Sequence, residues 1–176
     1  MAWRSFILRL EAHVRTTFAV VAASLAVTAA LGAQPVITAA SVLLRDSEVK
    51  WGDPPPALEK GASFALVSGD PSTGGPYVIR LKLPAGYKVA PHWHPTAENI
   101  TVISGTFALG MGEKFDPAAL KDFGPGSYGL MPAEMRHFAM ARTAAIVQVH
   151  GIGPFALNYV NPWDDPSKRA APAKAN

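Results

Sequence analysis

One stretch constrains this chain more than any other: Gly86-Tyr-Lys-Val-Ala-Pro-His92-Trp-His94-Pro-Thr-Ala-Glu98-Asn-Ile-Thr-Val-Ile-Ser-Gly105. His92 and His94 are two residues apart, so an extended backbone turns both imidazoles to one face. Trp93, between them, points to the opposite face and packs. Pro95 bends the chain after the second histidine. The run Asn-Ile-Thr-Val-Ile then reads as a strand that stops at the turn pair Ser104-Gly105. Glu98 opens that strand and can face the same interior. Two imidazoles and a carboxylate are the ligand set of non-haem iron, and they also suit zinc, manganese or nickel.

The same residues resemble the first cupin motif, a glycine, His-x-His, a glutamate and a second glycine at set spacing. Gly86, His92, His94, Glu98 and Gly105 stand at its positions. A later stretch, Gly126-Ser-Tyr-Gly-Leu-Met-Pro132-Ala-Glu-Met-Arg-His137-Phe-Ala-Met-Ala141, resembles the second cupin motif through Gly126, Pro132 and His137. It departs at Glu134, where the family usually has glycine, and at Ala141, where it often has asparagine. The first departure bears on a local turn and the second on one polar contact. The resemblance runs from about Phe64 to Val160. It implies an all-β fold, a double-stranded β-helix or jelly-roll (cupin) barrel, around one divalent transition metal (Fe, Mn, Ni or Zn). The implied metal residues are His92, His94, Glu98 and His137. Glu98 either ligates the metal or stays off it as a catalytic base, in which case apolar surroundings would raise its pKa.

Composition narrows the alternatives. With no cysteine, disulfides, thiolate metal sites and a cysteine nucleophile are excluded. The formal charge of +3 is concentrated early. Arg4, Arg9 and Arg15 against Glu11 account for +2, which leaves 13 basic and 12 acidic residues after position 33. A near-neutral remainder has no electrostatic footprint for nucleic acid. Residues 1–33 read as an export signal: three arginines, then the apolar run Phe18–Ala33, rich in alanine and shorter than a spanning helix needs. The expectation is a periplasmic or secreted protein with no stable membrane insertion after signal cleavage.

Residues 34–62 form an N-terminal arm with the proline-rich turn Gly52–Pro56, residues 63–166 the cupin domain, and residues 167–176 a disordered Ala/Lys/Pro tail. Within the domain, Tyr77, Ile79, Leu81 and Leu83 alternate with Arg80 and Lys82, the pattern of a half-buried strand. Further short strands are expected at Phe64–Val67, Thr106–Gly110, Ser127–Met131, Arg136–Met140, Ala145–His150 and Ala156–Val160. Asp116-Pro117 can cap a helix and predicts a short helical insert of one or two turns, a surface cap over an edge. Ile100 and Val102 share the parity of Glu98 and would wall the pocket with Ala139; Tyr128, Gln148 and His150 are polar residues on core strands.

Two functions follow. An open metal site with apolar walls fits a metal-dependent, dioxygenase-like enzyme acting on a small organic substrate, with Glu98 taking the substrate proton. Isomerase or lyase chemistry would use the same ligands. The alternative is a non-catalytic cupin that binds or senses a metal or small molecule. A sugar isomerase would need more inward polar groups. A single motif pair implies one domain, and such domains pair as homodimers.

Overall fold

The computed structural model describes residues 41–169. The expected export signal, residues 34–40 of the arm and the end of the tail lie outside the described residues. Ten strands follow in order: β1 (Ser63–Gly69), β2 (Pro76–Leu83), β3 (Lys88–Trp93), β4 (Glu98–Ser104), β5 (Phe107–Met111), β6 (Lys121–Phe123), β7 (Tyr128–Met131), β8 (His137–Ala141), β9 (Ala145–Ile152) and β10 (Asn158–Tyr159). They build two five-stranded sheets, β1-β2-β9-β4-β7 and β10-β3-β8-β5-β6. Every neighbouring pair is antiparallel.

Side-chain alternation explains how the sheets face each other. On β2, Tyr77, Ile79 and Leu83 are buried, while Arg80 bonds Gln148 on the outer side of β9 and Lys82 lies over the Trp51 ring. Ile100 and Val102 of β4 and Val147 and Val149 of β9 continue the inward face. The second sheet answers with Val89, Phe107, Leu109, Ala139 and Ala141. Burying one such aliphatic or aromatic side chain contributes roughly 1.5–3 kcal/mol. Together they hold the two sheets in register around the cavity described below.

Two expectations are corrected. The sheets do not close into a jelly-roll barrel: β1 and β7 end one sheet and β10 and β6 the other, with no strand hydrogen-bonded into both. The fold is a two-sheet, cupin-like sandwich joined by side chains. The helical insert is also absent, and the described residues contain no α-helix. Asp116 does cap, its carboxylate accepting from the Ala118 N–H, but only a single 3-10 turn forms over Pro117–Ala119. Leu120 is then buried beside Ala108 and Phe138, and Lys121–Phe123 pairs with β5. Three residues cannot repay helix nucleation, and strand pairing takes the chain instead.

The motif departures have local answers. Gly105 sits at φ +75°, where an added Cβ would lie 2.1 Å from the Ala144 carbonyl oxygen. Glu134 also takes positive φ, +63°, alone among the described non-glycine residues. Its N–H donates to the His94 carbonyl at 2.8 Å. The turn therefore survives without glycine, with the backbone strained. Ala141 is fully buried and meets its polar obligations through backbone bonds with Gly86 and Tyr87.

Candidate metal centre

The sheets bring three imidazoles to one point and set a carboxylate against two of them. His92 near the end of β3 and His137 at the start of β8 are direct cross-strand partners in one sheet. Glu98 opens β4 in the other sheet, and His94 stands in the connection between them. All four are at most 5% exposed. One ligating atom from each of His92, His94 and His137 lies within 4.8 Å of the others. A Glu98 carboxylate oxygen, Oε2, is 3.4 Å from His94 Nε2 and 3.2 Å from His137 Nε2.

Hydrogen bonds orient the three rings alike. Nδ1 of His92 meets the Ala90 carbonyl at 2.7 Å, Nδ1 of His94 the Ala156 carbonyl at 2.8 Å, and Nδ1 of His137 the Met135 carbonyl at 3.0 Å. A carbonyl only accepts, so each Nδ1 carries the proton, and in a neutral ring Nε2 is left as a lone-pair donor to a metal. Phe155 stacks on the His94 ring at a centroid separation of 4.5 Å and fixes its plane.

The electrostatics agree. Burial pushes the His92 imidazolium down to about 3, helped by the neighbouring His137 and His94 rings. The ring is therefore neutral, the form that ligates. For Glu98, burial alone would raise the carboxyl. The adjacent His137 and His94 rings outweigh it and hold the group below the ordinary carboxylate range. This is opposite to the raised value expected of an isolated carboxylate among apolar walls. His94 Nε2 and Glu98 Oε2 are both buried without a hydrogen-bond partner. Rings protonated at Nε2 as well would hold the carboxylate low as donors, whereas neutral rings turn Nε2 lone pairs toward it and repel it. A divalent cation at their meeting point satisfies all of them, and the residues fit one.

The centre opens on a cavity of about 490 Å³. Ile79, Ile100, Leu109, Ala139, Val149 and Phe155 are among its walls, with His92, Glu98 and His137 at the ligating end. Ile100 and Ala139 thus stand where parity put them; Val102 is buried in the core but does not line the cavity. Three other sequence candidates lie elsewhere. Tyr128 is exposed and donates to Asn99, Gln148 accepts from Arg80, and His150 shares the outward parity of Gln148 on β9. The strand expected at Ala156–Val160 forms only over Asn158–Tyr159, so Phe155 and the Ala156 carbonyl lie in irregular chain where no alternation marks them. The alternation along β2 places Tyr77 on the inward face and marks nothing more. Its hydroxyl is buried without a partner and lies 3.2 Å from where a Cβ on Gly151 would be. Gly151 separates Tyr77 from Glu98 in one cross-strand row, so the glycine leaves room for the phenol.

A family profile described as the ChrR cupin-like domain matches residues 39–156. No curated protein matches the chain. Among solved structures, the acetylacetone dioxygenase of Acinetobacter johnsonii is 16% identical, with TM-score 0.57, over 76% of this chain and 85% of that one. The polyketide cyclase RemF of Streptomyces resistomycificus is 16% identical with TM-score 0.57, over 72% of this chain and 89% of its own. A candidate acetylacetone dioxygenase of Methylibium petroleiphilum is 21% identical with TM-score 0.56, over 73% and 86%. At these identities the likeness is one of fold alone.

Proposed function

The chain belongs to the ChrR cupin-like domain family, and on that premise we propose that it is a metal-dependent enzyme acting on a small organic substrate, with dioxygenase-like chemistry. The observation that carries this is a set of three imidazoles, each held at Nδ1 by a backbone carbonyl, beside one carboxylate, with His92, His137 and Glu98 on the wall of a largely apolar cavity. His92, His94 and His137 would hold the metal through Nε2, with Glu98 as fourth ligand. A divalent metal supplies Lewis acidity toward substrate oxygens and, as iron, electrons for dioxygen chemistry. The remaining work falls to the chain. The aliphatic walls exclude water and bind the substrate's apolar part. Phe155 and the Ala156 carbonyl keep His94 in place. If Glu98 stays off the metal, it is the carboxylate placed to accept a substrate proton.

The likeness in fold to acetylacetone dioxygenases supports trying enolisable diketones first. Oxygen uptake by iron-loaded protein on a panel of diketones and phenols is the test. Bound iron with no uptake on any of them would reject the dioxygenase. Glu98→Gln separates the two roles of that residue. Loss of metal marks a ligand, whereas retained metal with lost turnover marks a base.

A non-catalytic binding or sensing cupin is the second reading. It is favoured by the cavity lining, where Asp165 is the single ionisable group besides His92, Glu98 and His137. A ligand-induced thermal shift without product would support it. We also propose export on the sequence of residues 1–33 alone, to be checked by the N-terminal sequence of the protein recovered from each cell compartment. Among the described residues no helix is long and apolar enough to cross a membrane. A homodimer is proposed from the apolar residues on the edge strands, Leu66 on β1 and Tyr128 and Leu130 on β7, each at least 50% exposed. Sedimentation at a monomer mass would reject it.

A further inference from the structure

The cavity is larger than the reaction centre requires. Its volume is about 490 Å³. At ~30 Å³ for each water-sized unit, that is room for on the order of 15 non-hydrogen atoms. A small diketone such as acetylacetone, with about seven, would leave half of it unfilled. Water does not settle readily in the remainder. Beyond the ligating end the interior walls are Ile79, Leu81, Leu83, Leu109, Val147 and Val149, which offer it no hydrogen bonds. An empty space of that size would forfeit dispersion contacts along both sheets.

The lining also says what the occupant is not. No lysine or arginine is on it, so a highly charged anion would have only the metal to neutralise it. The hydroxyls present, Ser72 and Ser167, are on exposed residues at the rim. A sugar would lose its hydration against aliphatic walls with nothing in exchange. Among the buried lining residues, polarity lies where His92, Glu98 and His137 converge and at Asp165, whose carboxylate is already engaged by the Ser167 N–H and hydroxyl and by Lys168.

We propose that the ligand of this cavity is an apolar molecule of roughly 15 non-hydrogen atoms, aromatic or polycyclic, with its oxygen function at one end only. The oxygen end faces the metal residues and the hydrocarbon body lies between the sheets. This deepens the function proposed above and rests on it for the orientation of the ligand. The size and polarity rest on the cavity alone.

The test uses two diketones that share one chelating head, acetylacetone and dibenzoylmethane, titrated into zinc-loaded full-length protein by calorimetry. Burying a phenyl ring in place of a methyl group is worth a factor of about ten or more, so two rings predict binding at least about 100-fold tighter for dibenzoylmethane. Equal or weaker binding of the larger diketone overturns the proposal. Ala139→Phe puts a ring into the cavity from β8. It is expected to weaken dibenzoylmethane binding at least about 10-fold more than acetylacetone binding. Should that variant fail to fold, the wild-type pair decides. A second arm separates this proposal from the metal function. N-phenyl-1-naphthylamine, an apolar fluorophore of similar size without a chelating head, is added to metal-free protein. Saturable fluorescence enhancement there, in a chain that takes up no metal, would uphold the ligand class and reject the metal enzyme. Metal uptake without either the size preference or fluorophore binding would overturn the ligand class and leave the metal centre standing.

Discussion

Glu134 shows how a single residue can be read through its backbone. A side chain at φ +63° is held in a region that costs an L-residue roughly 1–2 kcal/mol. Glycine escapes that strain but loses more freedom on folding. Glu134→Gly is therefore expected to stabilise the protein by about 0.5–1 kcal/mol, read as a rise in denaturant midpoint at constant slope. No rise would mean that another contact of the side chain compensates. The tyrosines offer a contrast. Tyr87 donates to the Glu59 carbonyl at 2.6 Å and Tyr159 to the Ala57 carbonyl at 2.8 Å. Phenylalanine at either position should cost about 1 kcal/mol. Tyr77 has no such partner, so Tyr77→Phe should leave the melting temperature unchanged or higher, and a clear fall would reveal a hidden bond. Burial raises all three phenols. It pushes Tyr87 up to about 12 with help from the Glu59 charge, against the hydrogen bond to the Glu59 carbonyl, and it raises Tyr77 and Tyr159 in the same direction. A phenol whose folded pKa lies above its unfolded value near 10 stabilises fully below pH ~10 and loses that contribution as pH climbs toward 12. Alkaline titration should show delayed phenolate absorbance ending in unfolding. A phenolate titration with its midpoint near pH ~10 for all of the tyrosines in folded protein would contradict this burial.

The segment between β5 and β7 carries the argument at the scale of elements. A capping aspartate followed by proline is a helix start, and the cap forms. What the sequence could not display is that Leu120 would be claimed by Ala108 and Phe138, and the next three residues by β5. Leu120→Ala should cost roughly 2–4 kcal/mol if this anchoring is real. A surface helical cap would tolerate the change within about 0.5 kcal/mol. The site was legible for the opposite reason. His92, His94 and Glu98 are bound by local rules: two-residue parity in chain that runs just past the end of β3, a proline bend, and a strand that stops before Gly105. Their convergence with His137 depends on one pairing, β3 with β8. The positioning group Phe155 lies in irregular chain, where no periodicity marks a residue. The open sandwich was also hidden, because closure depends on which edge strands meet, and alternation along each strand is the same either way.

For the whole molecule, the two sheets contribute unequally to the centre. His92 and His137 come from one and Glu98 from the other. A metal held between them would tie together a sandwich whose edges are not hydrogen-bonded to each other. Removing it with a chelator should lower the melting temperature, and readdition should restore it; the shift follows metal concentration by mass action. The most direct test of the account is elemental analysis of natively purified protein beside His92→Ala and His137→Ala variants shown to be folded. The account predicts about one divalent transition-metal ion per wild-type chain and a large loss in each variant. Folded wild-type protein that carries no metal and takes none up, or variants that retain it at the wild-type level, would contradict it.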